Sequence, residues 1–331
     1  MGKIIILALI FIAAVSCKDN THGTDDCATA LQIERLDRLV YHYTEFDTAT
    51  RDNLKDSMSP GLDIYLRVAG INGDSVDVDS ALAMLSASRP VTVFTPDVEN
   101  RLNSIEDIEI SLGTAIRRIQ SALPGIDAPH IYGIVSPYRQ SVITADSVVL
   151  VALNLYLGRD YPGYAGFDDY FRLTREPVRI PYDVVEAIVA SHYPINNDRA
   201  KTILSKMLYN GALVYAVMSS IPDADLSLAI GVGSEDLEWL VDNESRIWDK
   251  IIRQELLYSS SETDASKLLM PSPATPAIHP EAPGRVGRYI GYAIVKSYVD
   301  KHKGVTMEQL LSPDFYGETK TLVDAGYAPA K

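Results

Sequence analysis

Cysteine is scarce: only Cys17 and Cys27 occur in 331 residues. That excludes a disulfide scaffold and a four-cysteine zinc site. Basic charge is in deficit as well, with 30 Lys and Arg against 44 Asp and Glu and a formal net charge of −14. A chain so acidic lacks the phosphate-neutralising face of a nucleic-acid binder and is repelled by anionic lipid. The six histidines, His22, His42, His130, His192, His279 and His302, never come within five positions of one another. A helix-borne metal pair needs ligands at i and i+4, so none is present. There is no G-x-S-x-G elbow, no Walker loop and no G-x-G-x-x-G. What remains is a folded chain, 47% hydrophobic and 22% charged, long enough to bury a large core.

The one markedly apolar run is at the start. Lys3 precedes Ile4 to Val15, a stretch too short to span a bilayer, which needs roughly 20 residues. It has the form of an export signal. It ends in Ala14-Val15-Ser16-Cys17, which resembles a lipobox, so residues 1–16 are expected to be removed and Cys17 to carry lipid. Cys27 would then have no partner within the chain. Residues 17–28 are polar and acidic and read as a lipidated tether. Lys18-Asp19 loosely resembles a surface-export signal, so display on the cell surface is an open expectation beside either membrane.

From 29 to 331 the pattern is that of one α+β unit, mostly helical with a small antiparallel or mixed sheet. Leu31, Ile33 and Arg35 suggest a short opening strand. A helix is expected over 36–58, broken by Ser59-Pro60-Gly61, with further helices near 61–69, 77–87 and 96–123. Residues 130–157 alternate and are β-branched, predicting two or three strands with a turn near Ala145-Asp146. Later helices are expected over 184–192, 202–218 and from Ser234, the last with a buried stripe of Leu237, Leu240, Val241, Trp248, Ile251 and Ile252. A long irregular connector, 271–283, precedes a final amphipathic helix from Val286 to Tyr298. Gly287 and Gly291 would give that helix a smooth strip for close packing. Arg285 and Arg288 at its start allow an anion site as the other reading. Asp168-Asp169 and Asp223/Asp225 read as solvated loops.

Three segments, in order, carry a resemblance. They are Tyr156-Leu157-Gly158-Arg159-Asp160-Tyr161-Pro162 with Tyr164, Gly166 and Phe167; Leu237-Glu238-Trp239 through Ile247-Trp248 to Tyr258-Ser259; and Pro271-Ser272-Pro273 with Glu281-Ala282-Pro283-Gly284-Arg285-Val286-Gly287. Together they resemble the gliding motility lipoprotein GldB family of the Bacteroidetes. The resemblance implies a lipid-anchored protein of the cell envelope, working with motility or type IX secretion components as a binding or assembly part. It implies no cofactor. Tyr156, Arg159, Tyr161, Tyr164, Phe167, Arg285 and Arg288 are its candidate contact residues.

The same region is distantly similar to predicted HExxH zinc proteases. That similarity puts the second histidine at His192, the first at Ile188, the catalytic glutamate at Val189 and the late ligand at Asn210. Three of those four functional positions are lost, so the resemblance implies a degenerate, non-catalytic pseudo-peptidase without bound metal. The alternative is a metallopeptidase-like hydrolase with a non-standard site. If the ancestry holds, the helix through 184–192 packs beside that through 202–218.

Overall fold

The computed structural model describes residues 30–71, 76–137 and 140–329. The export signal and the whole tether, with Cys17 and Cys27, lie outside the described residues. The opening strand forms as β1 (Ile33–Arg35), and the alternating region forms β2 (His130–Ile134), β3 (Val142–Ala145) and β4 (Val148–Ala152). They make one sheet in the order β1-β2-β4-β3. β1 and β4 both run parallel to β2, and β3 is antiparallel to β4, so the sheet is mixed. Asp146, with φ of 50°, turns the chain between β3 and β4. Aspartate tolerates that left-handed backbone better than most residues. All of β4 is buried, as expected of a strand paired on both edges.

Helices supply the rest, and several boundaries differ from expectation. The first helical stretch divides into Leu36–Tyr41 and Thr48–Val68. The Ser59-Pro60-Gly61 break does not occur: Pro60 lies inside the second helix. Tertiary packing overrides the local signal there. Gly61 lies against the Tyr132 ring, where a Cβ would come within 2.5 Å, and buried Leu62, Tyr65 and Leu66 continue the helix across the sheet. The Tyr65 hydroxyl donates to the Val135 carbonyl at 2.6 Å, fixing that contact. The stretch expected at 96–123 is two helices, Arg89–Arg101 and Glu106–Ala122, parted at Asn103-Ser104. The helix from Ser234 also divides, into Ser234–Asp242 and Glu244–Arg253, because the Asn243 side chain bonds back to the Trp239 carbonyl. The break turns Val241 and Ile252 to the surface, and the buried stripe is Leu240, Ile247 and Ile251.

Two long helices form the second half's spine. Ile203–Ser220 starts at Thr202, whose hydroxyl accepts from the Ser205 amide in a capping box. Val286–Lys301 packs against it. The close-packing strip is real: a Cβ on Gly211 would fall 2.2 Å from the Gly291 carbonyl carbon, and one on Gly291 would fall 1.9 Å from the Met207 oxygen. Gly287 fits against Leu268 and Leu269. The helix Ile180–His192 rests on both Ile203–Ser220 and the sheet.

Candidate functional site

The site begins with a short helix, Leu226–Ile230, whose end exposes carbonyls that no further helical turn satisfies. Gly231 closes it in the left-handed conformation, φ 83°. Three arginines from two other helix starts cap it. Arg179 Nη1 donates to the Leu228 carbonyl at 2.5 Å, Arg288 Nη2 to Ala229 at 2.9 Å, and Arg285 Nη1 to Ile230 at 2.6 Å. The negative end of the helix thus gathers positive side chains at one point.

Arg179 immediately precedes the helix Ile180–His192, which carries Asp183 and Glu186 on the same face. Asp183 accepts from Arg179 at 2.6 Å and from the Tyr156 hydroxyl at 2.7 Å. Glu186 takes both Nη groups of Arg288, at 2.7 and 2.6 Å, a bidentate pair. A fourth arginine, Arg175, lies 4.0 Å from the Phe171 ring centroid and donates Nη1 to Ser141 Oγ at 2.7 Å. These four guanidiniums and two carboxylates line one cavity of about 330 Å³, with Ser141, Phe171 and Pro271 completing its wall.

The charge in this cavity is out of balance. Four cations face two anions, and both anions are already engaged. Burial would raise the Glu186 pKa, but Arg288, with Arg285 and Arg179 behind it, holds it below the ordinary value. Burial works against the Arg288 charge too, yet Glu186 keeps its pKa above normal. Burial lowers the Arg175 pKa. Arg285 is affected most: burial, then repulsion from Arg288 and Arg179, brings its pKa down to about 9. The Nε atoms of Arg175, Arg179, Arg285 and Arg288 are buried and have no hydrogen-bond partner among the described residues.

Arg285 also has φ of 61°. A side-chain-bearing residue in that region costs on the order of 1–3 kcal/mol and persists where surroundings impose it. Gly284 before it fits against Ser272, and Gly231 makes room for its guanidinium.

Of the sequence candidates, Arg285 and Arg288 line this cavity, and Tyr156 lies buried behind it, bonded to Asp183. The others lie elsewhere. Tyr161 and Tyr164 are buried, bonded to Asp97 Oδ2 at 2.5 Å and to the Asn154 carbonyl at 2.6 Å. With Phe167 and Phe171 they form a ladder of ring contacts that ends beneath Arg175. The tyrosine-rich loop is therefore largely an internal prop. Arg159 is exposed, beside Asp168 and Asp169 in a separate surface depression.

Of the metal-helix positions, Ile188 and Val189 are core residues. His192 lies at the exposed helix end with Nδ1 3.0 Å from the Ile188 carbonyl. Asn210 donates Nδ2 to the Lys206 carbonyl at 2.8 Å. Each polar side chain is bonded to its own helix, and the two helices do touch. Among the described residues no three His, Cys, Asp or Glu side chains gather as a metal site.

Arg175, Arg179, Asp183 and Glu186 escaped the sequence reading. Arg179, Asp183 and Glu186 carry a helical spacing of 4 and 3 at the start of the helix Ile180–His192, whereas Arg175 lies before the extended residue Glu176 and carries no such signal. Among the described residues no helix is long and apolar enough to cross a membrane. No curated protein and no solved structure matches the chain. Over residues 17–329 the sequence matches the family described as gliding motility protein GldB, and the chain belongs to that family.

Proposed function

We propose that this protein is a lipid-anchored, non-catalytic component of the cell envelope that binds rather than transforms its ligand, with the arginine cavity as its working site. Cys17 carries the anchor, residues 17–28 form the tether, and the chain from 29 onward acts as one unit. Its partners are envelope proteins of the gliding motility or type IX secretion apparatus. The family match supports the motility setting, and its start at Cys17 agrees with the lipobox reading. The single observation that carries the binding role is the surplus of buried guanidinium in a cavity. Unneutralised buried charge is costly, and proteins retain it chiefly where function uses it.

Two experiments test this reading. Crosslinking in intact cells followed by purification should recover motility or secretion components. Recovery of only abundant, unrelated envelope proteins contradicts the assembly role. Cys17→Ser should abolish lipid labelling and move the protein out of the membrane fraction. Labelling that persists contradicts the anchor.

A further inference from the structure

Arg175 and Arg285 set the problem. Glu186 is held by both Nη groups of Arg288, and Asp183 is shared by Arg179 and Tyr156. Neither carboxylate forms an ion pair with Arg175 or Arg285 among the described residues. The protein contacts of those two arginines are neutral: a serine hydroxyl and an aromatic face for Arg175, a backbone carbonyl for Arg285. Both use Nη1, and their Nε groups stay buried and unpartnered among the described residues. Arg175 is only 3% exposed. Four guanidiniums against two carboxylates therefore leave a net surplus of two positive charges on a cavity of about 330 Å³.

We infer that this cavity binds a phosphate-class dianion, either free or as the monoester head of a lipid. The inference rests on reading the cavity as a binding site and names what enters it. Two charges match the surplus, whereas a monocarboxylate would neutralise one guanidinium and strand the other. A tetrahedral oxyanion also offers acceptors in several directions, suited to donors arriving from separate elements, and guanidinium is the side chain that meets it with paired N–H groups. The cavity is at the lower end of the size range for small-ligand sites and larger than phosphate alone, which leaves room for an ester substituent. The chain's overall charge of −14 makes the local surplus a specific feature and not part of a general basic face.

Calorimetric titration of the full-length protein in detergent with inorganic phosphate tests this. One saturable site is expected, with acetate at least tenfold weaker. Arg175→Gln and Arg285→Gln should each weaken phosphate at least tenfold, while Arg199→Gln, a surface control bonded to Asp314 and Glu318, should not. If Arg285→Gln fails to fold, Arg175→Gln and a phosphate-induced rise in wild-type melting temperature carry the test. Vesicles containing phosphatidic acid separate the sources. Capture in excess of that on vesicles without phosphatidic acid, which the Cys17 anchor alone would give, and competed away by free phosphate, assigns a lipid head; phosphate binding with no such excess assigns a soluble ligand. Absent saturation, equal binding in both arginine variants, or acetate as tight as phosphate would overturn the inference. If phosphate fails while the same variants lose their envelope partners, the ligand class is wrong and the binding role stands.

Discussion

Gly231 and Arg285 share one volume: a Cβ on Gly231 would lie 1.8 Å from Arg285 Nη1. The glycine that ends one helix is thus the seat of the arginine that begins another. Gly231→Ala should displace Arg285 as well as strain a backbone with φ of 83°. A loss of about 1–3 kcal/mol is expected in urea unfolding, together with weakened anion binding. An unchanged midpoint and unchanged binding would show that Arg285 has another place to go.

Arg288 and Arg285 should respond unequally to loss of charge. Arg288→Gln leaves Glu186 without its bidentate partner. About 2–3 kcal/mol should be lost, less than for a fully buried pair because the Glu186 side chain keeps 26% exposure. Arg285→Gln removes a charge that opposes folding and should cost less than ~1 kcal/mol. Equilibrium unfolding of the two variants at neutral pH gives the comparison, and equal losses would argue against the charge surplus.

Alkaline pH should separate two groups of residues. The Arg285 pKa, about 9, lies below its ordinary value, so the unfolded chain binds the extra proton above that pH. Its contribution to stability rises as pH passes 9. Burial raises Tyr164 and Tyr209 to about 12, above their unfolded value near 10. Their contribution is complete below pH 10 and is lost as pH climbs towards 12. Stability should therefore hold, or increase slightly, to about pH 10 and then fall as Tyr164 and Tyr209 ionise. Ionisation of Tyr164 or Tyr209 near pH 10 in the intact fold, followed as the absorbance lost in Tyr164→Phe and Tyr209→Phe, would contradict this.

The spine formed by Gly211 and Gly291 leaves no space for a methyl group. Gly291→Ala would push into the Met207 carbonyl and separate the two helices, costing about 1–3 kcal/mol or more. Gly125→Ala is a fair comparison, since no atom lies within 4 Å of its Cβ position, and should change stability by no more than ~0.5 kcal/mol.

His192→Ala should leave metal content and fold unchanged, because the ring bonds to its own helix at an exposed end. Stoichiometric zinc in the wild-type protein, lost in this variant, would revive the hydrolase reading.

The elements visible in sequence were those with strong local signals. The alternating strands around 130–152, the helix over 202–218 and the glycine strip from Gly287 to Gly291 follow from periodicity and residue size. Pro60 misled because a buried neighbour, Tyr132, comes from a strand some seventy residues later. Asn243 parts two helices where its side chain bonds back to the Trp239 carbonyl, a local contact that hydrophobic spacing does not register. Two of the cavity's four arginines were legible, since Arg285 and Arg288 open a recognisable segment. Arg175, Arg179, Asp183 and Glu186 were not, because their value arises only when the Leu226–Ile230 helix end draws the arginines together.

The most direct test of the central claim is quantitative crosslinking and purification from cells expressing wild type, Arg175→Gln/Arg285→Gln, or the Arg199→Gln control, each confirmed as folded and lipidated. Wild type and the control should recover the same envelope partners, and the double variant should lose them. Undiminished recovery by a folded, membrane-anchored double variant would contradict the claim.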